Sequence, residues 1–425
     1  MSFITNIQYP YQDKWDKEKT YATFTLKNIH YSLANAIRRA AISSVETIGF
    51  RSEPSKYSTI KITRNDTILN NQQIYHRIAM LPLNIGNLSN FDIDDYEFIL
   101  DEVNNTNSIK LVTSGDFKVK RISTNKFLSN EEVRQLLPPC ALSGDFIPIV
   151  KLEPKYYTNL DSATDLSKNI SEAIKIPVSE PVGISLTAKC VKSTGIENGH
   201  FSPIAVCVYG NSRDEEKLRQ GELAFIEEQN AYNITNGLTL FSEEKLKRRF
   251  YLNEVQRFYQ VDEYGDPNSF DFKVESVGVI PPLIIIARSM EVIVEKINNL
   301  IINLSNPTED KLEIQPTLTM GNGFQIIVEN EDDTLGNVVQ SYLSRMFADY
   351  SLPPEERKLV AITYHKTHPL KQQIIFTVKP MDDDFGVCIE NVIIPGCKNI
   401  IRIINNIKLE LMDTKQYLDE AKLVA

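Results

Sequence analysis

Two segments, one near each end of the chain, read alike, and this repeat limits the possible folds more than any other feature. Residues 24–39 are FTLKNIHYSLANAIRR and residues 326–341 are IIVENEDDTLGNVVQS. Aligned without gaps, Asn28 matches Asn330, Ser32 matches Thr334, Leu33 matches Leu335, Ala34 matches Gly336 and Asn35 matches Asn337. Each copy runs from an apolar strand through a polar turn into Ser/Thr-Leu-small-Asn, which opens a helix. Ser32 and Thr334 stand where an N-cap hydroxyl would accept from the unpaired N–H groups of a first turn.

The helices that follow carry the packing information. From Leu335, apolar residues recur at Val338, Val339, Tyr342, Leu343, Met346, Phe347 and Tyr350, a stripe wide enough to cover its own sheet and meet a second element. The first copy is narrower and rich in alanine (Ala34, Ala36, Ala40, Ala41), which permits close helix–helix approach. Each half also has a later apolar helix, over residues 286–304 and 400–423. The pattern predicts an α+β chain of two related units in pseudo-twofold pairing, the covalent analogue of a symmetric dimer.

The halves are unequal. The chain has 425 residues, enough for two or three domains. Between the first repeat helix and its later elements lie several short strand signals separated by turns, such as YSTIKITRNDT and GISLTAKCVKST. Ser-Gly-Asp-Phe occurs twice among them, at residues 114–117 and 143–146. The expected division is a discontinuous first unit, 1–50 and 208–306, interrupted by a β-rich insert, 51–207, and a second unit, 307–425. A charged, helix-forming stretch at residues 211–268 has no evident role.

Charge and chemistry narrow the function. A net charge of −10 is the wrong sign for a chain that grips a phosphate backbone over its whole surface. The five cysteines (Cys140, Cys190, Cys207, Cys388, Cys397) are dispersed, without a CxxC pair, and read as reduced thiols rather than a disulfide or zinc framework. The amino-terminal residues lack the apolar run of a signal peptide, and the apolar stretch at 277–287 is short and broken by Pro281 and Pro282. An intracellular protein with no membrane contact is expected.

Candidate ligand clusters are weak. Asp382, Asp383 and Asp384, and likewise Asp92, Asp94 and Asp95, lack the spacing of a cation loop and read as solvated turns. His365 and His368 form HxxH, but their flanks look like two strands meeting near Pro369, which suits structure better than a metal pair. Gly321-Asn322-Gly323 is hairpin punctuation without the setting of a phosphate cradle. No catalytic residue, metal or cofactor is assigned. Arg38 and Arg39 differ: arginine on a helix that already packs its apolar face suits either solvent or a partner interface.

These features converge on a family. SLANAIRRAAISSVETIGF (residues 32–50), after the strand YATFTLKN, resembles the signature of alpha-type subunits of multisubunit RNA polymerases, nearest to the D-type subunits of archaea and their eukaryotic counterparts. NDTILNNQQIYHRIAMLPL (65–83), AKCVKSTGIENGHFSPIAVCVY (188–209) and FKVESVGVIPPLIII (272–286) resemble further motifs of that family. In the second half, VENEDDTLGNVVQSYL (328–343) and AITYHKTHPLKQQIIFTV (361–378) are similar to the smaller L-type subunits of archaea and their counterparts, with Asp333 where that motif usually has His. A D–L fusion of this kind is encoded by large nucleocytoplasmic DNA viruses, so a viral source is expected, with residence in the host cytoplasm and packaging in the virion.

The resemblance implies a non-catalytic assembly platform of a DNA-directed RNA polymerase. Its two halves would pair intramolecularly and dock the largest and second-largest subunits, with small accessory subunits nearby and no sequence-specific nucleic-acid contact. Leu33, Ala34, Asn35, Ile37, Arg38 and Arg39 match the dimerisation and large-subunit signature. Leu335, Gly336 and Asn337, followed by Val338 and Tyr342, match its partner, and His76, Arg77, Leu81 and Pro82 match the insert motif. The metal site of many D-type inserts is not expected, because the cysteine spacing does not match. The alternatives are a stand-alone enzyme built on the acidic clusters and a nucleic-acid-binding regulator.

Overall fold

Strands β1 (Ile4–Gln8) and β2 (Tyr21–Lys27) lead into helix α1 (Tyr31–Ser43), the first copy of the repeat. The computed structural model describes residues 2–12, 19–88, 91–106, 108–140, 142–154, 181–308, 310–317, 321–381 and 384–424. Asn28 turns the chain with φ 57°, in the left-handed region that asparagine tolerates. The helix therefore begins earlier than expected, and its N-cap is His30, not Ser32. The His30 ring nitrogen Nδ1 accepts from the Ser32 N–H at 3.2 Å and lies 2.7 Å from the Ser32 hydroxyl.

The chain then enters a separate sheet. Its strands are β3 (Glu46–Phe50), β4 (Ile60–Asn65), β5 (Tyr96–Asn104), β7 (Lys118–Arg121), β8 (Lys126–Phe127) and β10 (Val182–Thr194), while β6 (Lys110–Thr113) and β9 (Pro148–Leu152) form a two-stranded ribbon. Helices α2 (Asn71–Ala79) and α3 (Asn130–Leu136) complete the region. The long β10 pairs antiparallel with β3, β4 and β5 along its length. A core of its own forms around Phe50, Phe98, Ile184 and Leu186. The two Ser-Gly-Asp-Phe segments meet here. The Ser114 N–H donates to the Ile147 carbonyl at 2.8 Å, and a Cβ on Gly115 would lie 2.8 Å from the Phe146 ring, so only glycine allows this approach.

Strand β11 (Ile204–Asn211) returns to the first sheet; helices α4 (Glu215–Thr235) and α5 (Glu243–Asn253) then intervene before β12 (Ser269–Ser276) and α6 (Pro282–Ser305). The sheet order is β1-β2-β12-β11. On β12, Phe270, Phe272 and Val274 point into the core while Asp271 and Lys273 point out, the two-residue alternation of a half-buried strand. Phe24 and Phe272 stack with centroids 5.2 Å apart. Helix α6 starts four residues before the expected 286 because Pro281 and Pro282 open it, a first-turn position where the missing N–H of proline costs nothing.

The second half repeats the plan with β13 (Leu312–Pro316), β14 (Phe324–Glu329), α7 (Asp333–Phe347), β15 (Leu359–His365) and β16 (Gln373–Pro380). Its sheet order, β13-β14-β16-β15, matches the first strand for strand. Asn330 repeats the left-handed turn at φ 59°, and the N-cap is Asp332 rather than Thr334, with the Thr334 N–H donating to Asp332 Oδ1 at 3.2 Å. The single helix expected over 400–423 is a longer assembly. It comprises α8 (Phe385–Cys388), a π-helical turn (Ile389–Ile393), α9 (Ile394–Met412) and α10 (Lys415–Val424). The Thr414 hydroxyl accepts from the Tyr417 N–H at 3.3 Å and starts the last helix. One hydrophobic core, including Leu26, Phe272, Met290, Val338, Phe376 and Ile404, runs through both halves.

Candidate functional site at the seam between the repeat helices

Helix α1 packs against α6 and against α7, and α6 packs in turn against α9, so the four helices form the layer where the halves meet. Leu33, Ala34 and Ile37 on α1 are fully buried, as are Leu335 and Val338 on α7 to within 2 %. Each such leucine or isoleucine contributes about 1.5–3 kcal/mol through its burial. The polar contacts across the seam are reciprocal. From the second half of α1, Arg39 donates to Thr334 Oγ1 at 2.9 Å and lies 3.5 Å from Asp332 Oδ2, at the start of α7. From the second half of α7, the Tyr342 hydroxyl accepts from the His30 N–H at 3.5 Å, at the start of α1. The two rings meet edge to face with centroids 6.0 Å apart.

Charge tunes the two caps differently. Burial, reinforced by the nearby Arg345 charge, pushes the His30 imidazole down to about 4, so it is neutral near pH 7 and its Nδ1 can accept. Burial disfavours the Asp332 carboxylate, but the Lys296 charge, the Thr334 hydroxyl and Arg39 outweigh it and hold the group below the usual range. Lys296, on α6 of the first half, is also 2.6 Å from Glu331. The α1 cap is thus a neutral ring, whereas the α7 cap is an anion held by cations from the other half.

Further ties join the halves. Arg345 on α7 pairs with Asp262 at 2.6 Å and Asp266 at 2.5 Å, with its guanidinium 5.0 Å from the Tyr264 ring centre. These three residues end the 211–268 stretch, which therefore grips the second half. Burial opposes ionisation of Asp262, but its bonds to Arg345 and to backbone N–H groups keep its carboxyl below the usual range. Glu420 on α10 accepts from the Tyr9 hydroxyl at 2.6 Å and from the Leu283 and Ile284 N–H groups at 2.9 and 3.4 Å, capping α6. Its burial pushes the carboxyl up to about 7. Glu410 on α9 accepts from the Phe3 and Ile4 N–H groups and anchors β1.

The expected site residues separate into groups. Arg39 lies in the seam, while Arg38 folds back on its own helix, with Nε and Nη2 at 3.1 and 2.9 Å from Asn35 Oδ1. The Arg38 charge acts on Cys207 and Tyr209 of β11 rather than on α7. Asn337 accepts from the Ser341 hydroxyl at 3.1 Å. Gly336 is required by contact: a Cβ there would sit 2.5 Å from the Tyr364 ring on β15. Gly396 likewise brings α9 onto α7, where a Cβ would fall 2.2 Å from Leu343 Cδ2.

The insert motif lies in the separate sheet region. His76 Nε2 is 3.2 Å from Glu53 Oε1, Arg77 donates to the Ile149 carbonyl at 2.7 Å, Leu81 is buried and Pro82 is half-buried. Among the described residues none of these four bonds a repeat-helix residue; the link to α6 is instead Arg288, which donates to the Gly86 carbonyl at 2.7 Å.

The other clusters have structural employment. Asp92 caps a short turn through the Asp94 N–H at 3.2 Å, and Asp95 accepts from the Ser123 N–H at 2.6 Å. Asp382 and Asp383 lie outside the described residues, whereas Asp384 accepts from the Gly386 N–H at 2.9 Å and opens α8. His365 ends β15, and His368 Nδ1 accepts from the Leu370 N–H at 3.1 Å within the connecting turn. Among the described residues no three His, Cys, Asp or Glu side chains group to hold a metal ion, and no helix is long and apolar enough to cross a membrane.

Sequence reasoning missed Glu410, Glu420 and Lys296, and left Asp262, Asp266 and Arg345 unconnected. Glu420 had a visible signal, since it stands beside Tyr417 and Ala421 on the stripe that α10 turns to the core. The Arg345 clamp had none, because its partners are joined only by the fold.

Comparison with known proteins gives a consistent result. The model of the RNA polymerase Rpb3/Rpb11 dimerisation domain matches residues 23–297. A conjugation stage-specific protein of Tetrahymena thermophila is 22% identical over 326 residues, 66% of this chain and 90% of its own length. The RPAC1 subunit of DNA-directed RNA polymerases I and III of Bos taurus is 23% identical over 331 residues, covering 67% of this chain and 86% of that subunit. The Rpo3 subunit of the DNA-directed RNA polymerase of Pyrococcus furiosus is 32% identical over 108 residues, 24% of this chain and 38% of that subunit.

Proposed function

Because the chain belongs to the RNA polymerase Rpb3/Rpb11 dimerisation-domain family, we propose that it is a non-catalytic assembly platform of a DNA-directed RNA polymerase. The residues 1–50 with 208–306 act as the D-like unit, 307–425 as the L-like unit, and 51–207 as an insert carried by the first. The two units pair within one chain in pseudo-twofold fashion. The observation that carries this reading is the reciprocal seam, in which Arg39 reaches the start of α7 and Tyr342 reaches the start of α1. The identical strand order of the two four-stranded sheets supports it further.

In this role the paired helices make one surface for the largest and second-largest subunits, and small accessory subunits bind around it. Arg38 is suited to the large-subunit contact, because it is half-buried and among the described residues has no carboxylate partner. Arg39 serves the intramolecular seam instead. Two units in one chain fit the D–L fusions of large DNA viruses, with action in the host cytoplasm and packaging in the virion. No active site is needed in the chain itself.

The test is affinity capture of the tagged chain from cells that make the polymerase. The chain should arrive with two very large polypeptides, and should be a monomer when produced alone. Abundant, stable chain without either large subunit would refute the proposal. Charge reversal at Arg38 should weaken capture more than it lowers the melting temperature, since the side chain is only half-buried and its hydrogen bonds are to Asn35 on its own helix.

A further inference from the structure

The 211–268 segment forms an arm whose base is fixed and whose end makes none of the seam contacts described above. At the base, Phe258 closes over Gly221, where a Cβ would sit 2.2 Å from its ring, and Asp262 and Asp266 hold Arg345. Beyond the base, α4 buries only Leu218 and Asn233 along 21 residues. The last two turns of α4 and the connection after it, residues 229–242 (QNAYNITNGLTLFS), contain no charged side chain although 24% of the chain is charged. Ile234 and Leu240 in it are 67% and 61% exposed.

The outer face of α5 extends this apolar tip with positive charge. Lys245, Arg248, Arg249 and Leu252 follow the i, i+3, i+4, i+7 spacing of one helix face, and all four are exposed. The opposite face buries Leu246 and Phe250. The nearby carboxylates Glu222 and Glu243 are engaged by Lys247, and Glu244 is exposed at the edge of the face, one turn before Arg248; among the described residues the three outward cations have no ion pair within 4 Å. Lys245 and Arg249 lie over the Phe241 ring at 4.2 and 5.6 Å. A chain with a net charge of −10 thus presents a basic helix face beside a neutral apolar tip.

We propose that this face docks an acidic amphipathic segment of another polypeptide in the same polymerase assembly, a proposal that rests on the platform reading above. Carboxylates of the partner meet Lys245, Arg248 and Arg249, and its apolar side chains meet Leu240 and Leu252. Charge complementarity selects an acidic occupant. The apolar residues favour a polypeptide over a nucleic-acid backbone, and Phe241, the aromatic ring at the tip, is already engaged by Lys245 and Arg249 of its own chain.

The test places a photoactivatable phenylalanine analogue at position 240 or 252 of the full chain, in cells that make the polymerase. Cross-linked sites are then mapped by mass spectrometry. Both positions should mark one acid-rich segment of another polymerase subunit. Arg248→Glu with Arg249→Glu should lower the yield about tenfold, the effect of one 1.4 kcal/mol change in binding, with large-subunit capture and melting temperature unchanged. Cross-links to nucleic acid, to a second copy of this chain, or to scattered sites without charge dependence would overturn the proposal, as would none at all. Capture of the large subunits by the parent chain reports separately on the platform reading.

Discussion

The two halves share a strand order and differ in what their connections carry. In the second, α7 leads to β15 and β15 turns to β16 directly; in the first, the β-rich region intervenes between α1 and β11, and the α4–α5 arm between β11 and β12. What is repeated is the sheet and the helices that meet at the seam. What is not repeated hangs from loops, where additions disturb no seam contact. The arm is informative because it departs from its own half and returns to clamp the other through Arg345. An addition to one unit has become part of the joint between both.

The equality of the repeats can be broken most severely in the shared core. Leu33→Ala and Leu335→Ala should each cost about 2–5 kcal/mol, the range for a leucine removed from a packed interior. Denaturant unfolding followed by tryptophan-independent far-UV signal should show both variants shifting the same transition. Separate transitions, each sensitive to one variant only, would mean that the halves do not share a core.

The next comparison exploits the mismatched pair Ala34 and Gly336. Gly336→Ala drives a methyl group into the Tyr364 ring and should destabilise by about 1–3 kcal/mol, although alanine is the better helix former. Ala34→Gly should cost about 1–2 kcal/mol, through helix propensity and the loss of a buried methyl group. Pairing Gly336→Ala with Tyr364→Leu should recover part of the loss, which a purely conformational effect of glycine would not allow.

Removal of the clamp should have a similar or smaller effect. Arg345→Ala leaves Asp262 and Asp266 facing each other and should cost about 1–2 kcal/mol, between the limits for exposed and buried pairs. The loss should appear as easier proteolysis within residues 259–267, and added salt should reduce the difference from the parent.

The two caps differ most subtly in their response to acid. His30 is held at about 4, below its unfolded value of 6.5. The unfolded chain therefore binds the proton first, and the stability linked to a neutral His30 is lost as pH falls from about 6.5 to about 4. Glu420 works in the opposite sense: its folded value of about 7 exceeds the unfolded 4.5, so its contribution grows as pH falls through that window. His30→Asn keeps a capping side chain and should remove the first slope, leaving stability that rises more clearly toward pH 5. No change in the pH profile would show that His30 does not titrate in this range.

The repeat was legible because it is local: strand, left-handed asparagine, cap and helix are written in consecutive residues. Even there, the position of the caps was not, since Ser32 and Thr334 carry the expected hydroxyls while the φ values at Asn28 and Asn330 start the helices earlier. The apolar stripe of α7 announced a second packing partner, but no pattern in sequence paired Arg39 with Thr334 or Arg345 with Asp262. Those contacts join residues far apart in the chain, and their geometry exists only once both sheets have formed. The Arg38–Arg39 dipeptide shows the limit well. Neighbours in sequence, they point to different surfaces because successive helix residues are turned by about 100°.

The central claim is that one chain supplies both alpha-like units of the platform. Quantitative mass spectrometry of the purified polymerase, with isotope-labelled peptides from residues 1–50 and 311–425, measures it directly. The expected result is one copy of this chain for each largest and each second-largest subunit, with no separate alpha-like polypeptide. Two copies per assembly, or one copy accompanied by an independent partner of the same family, would contradict it.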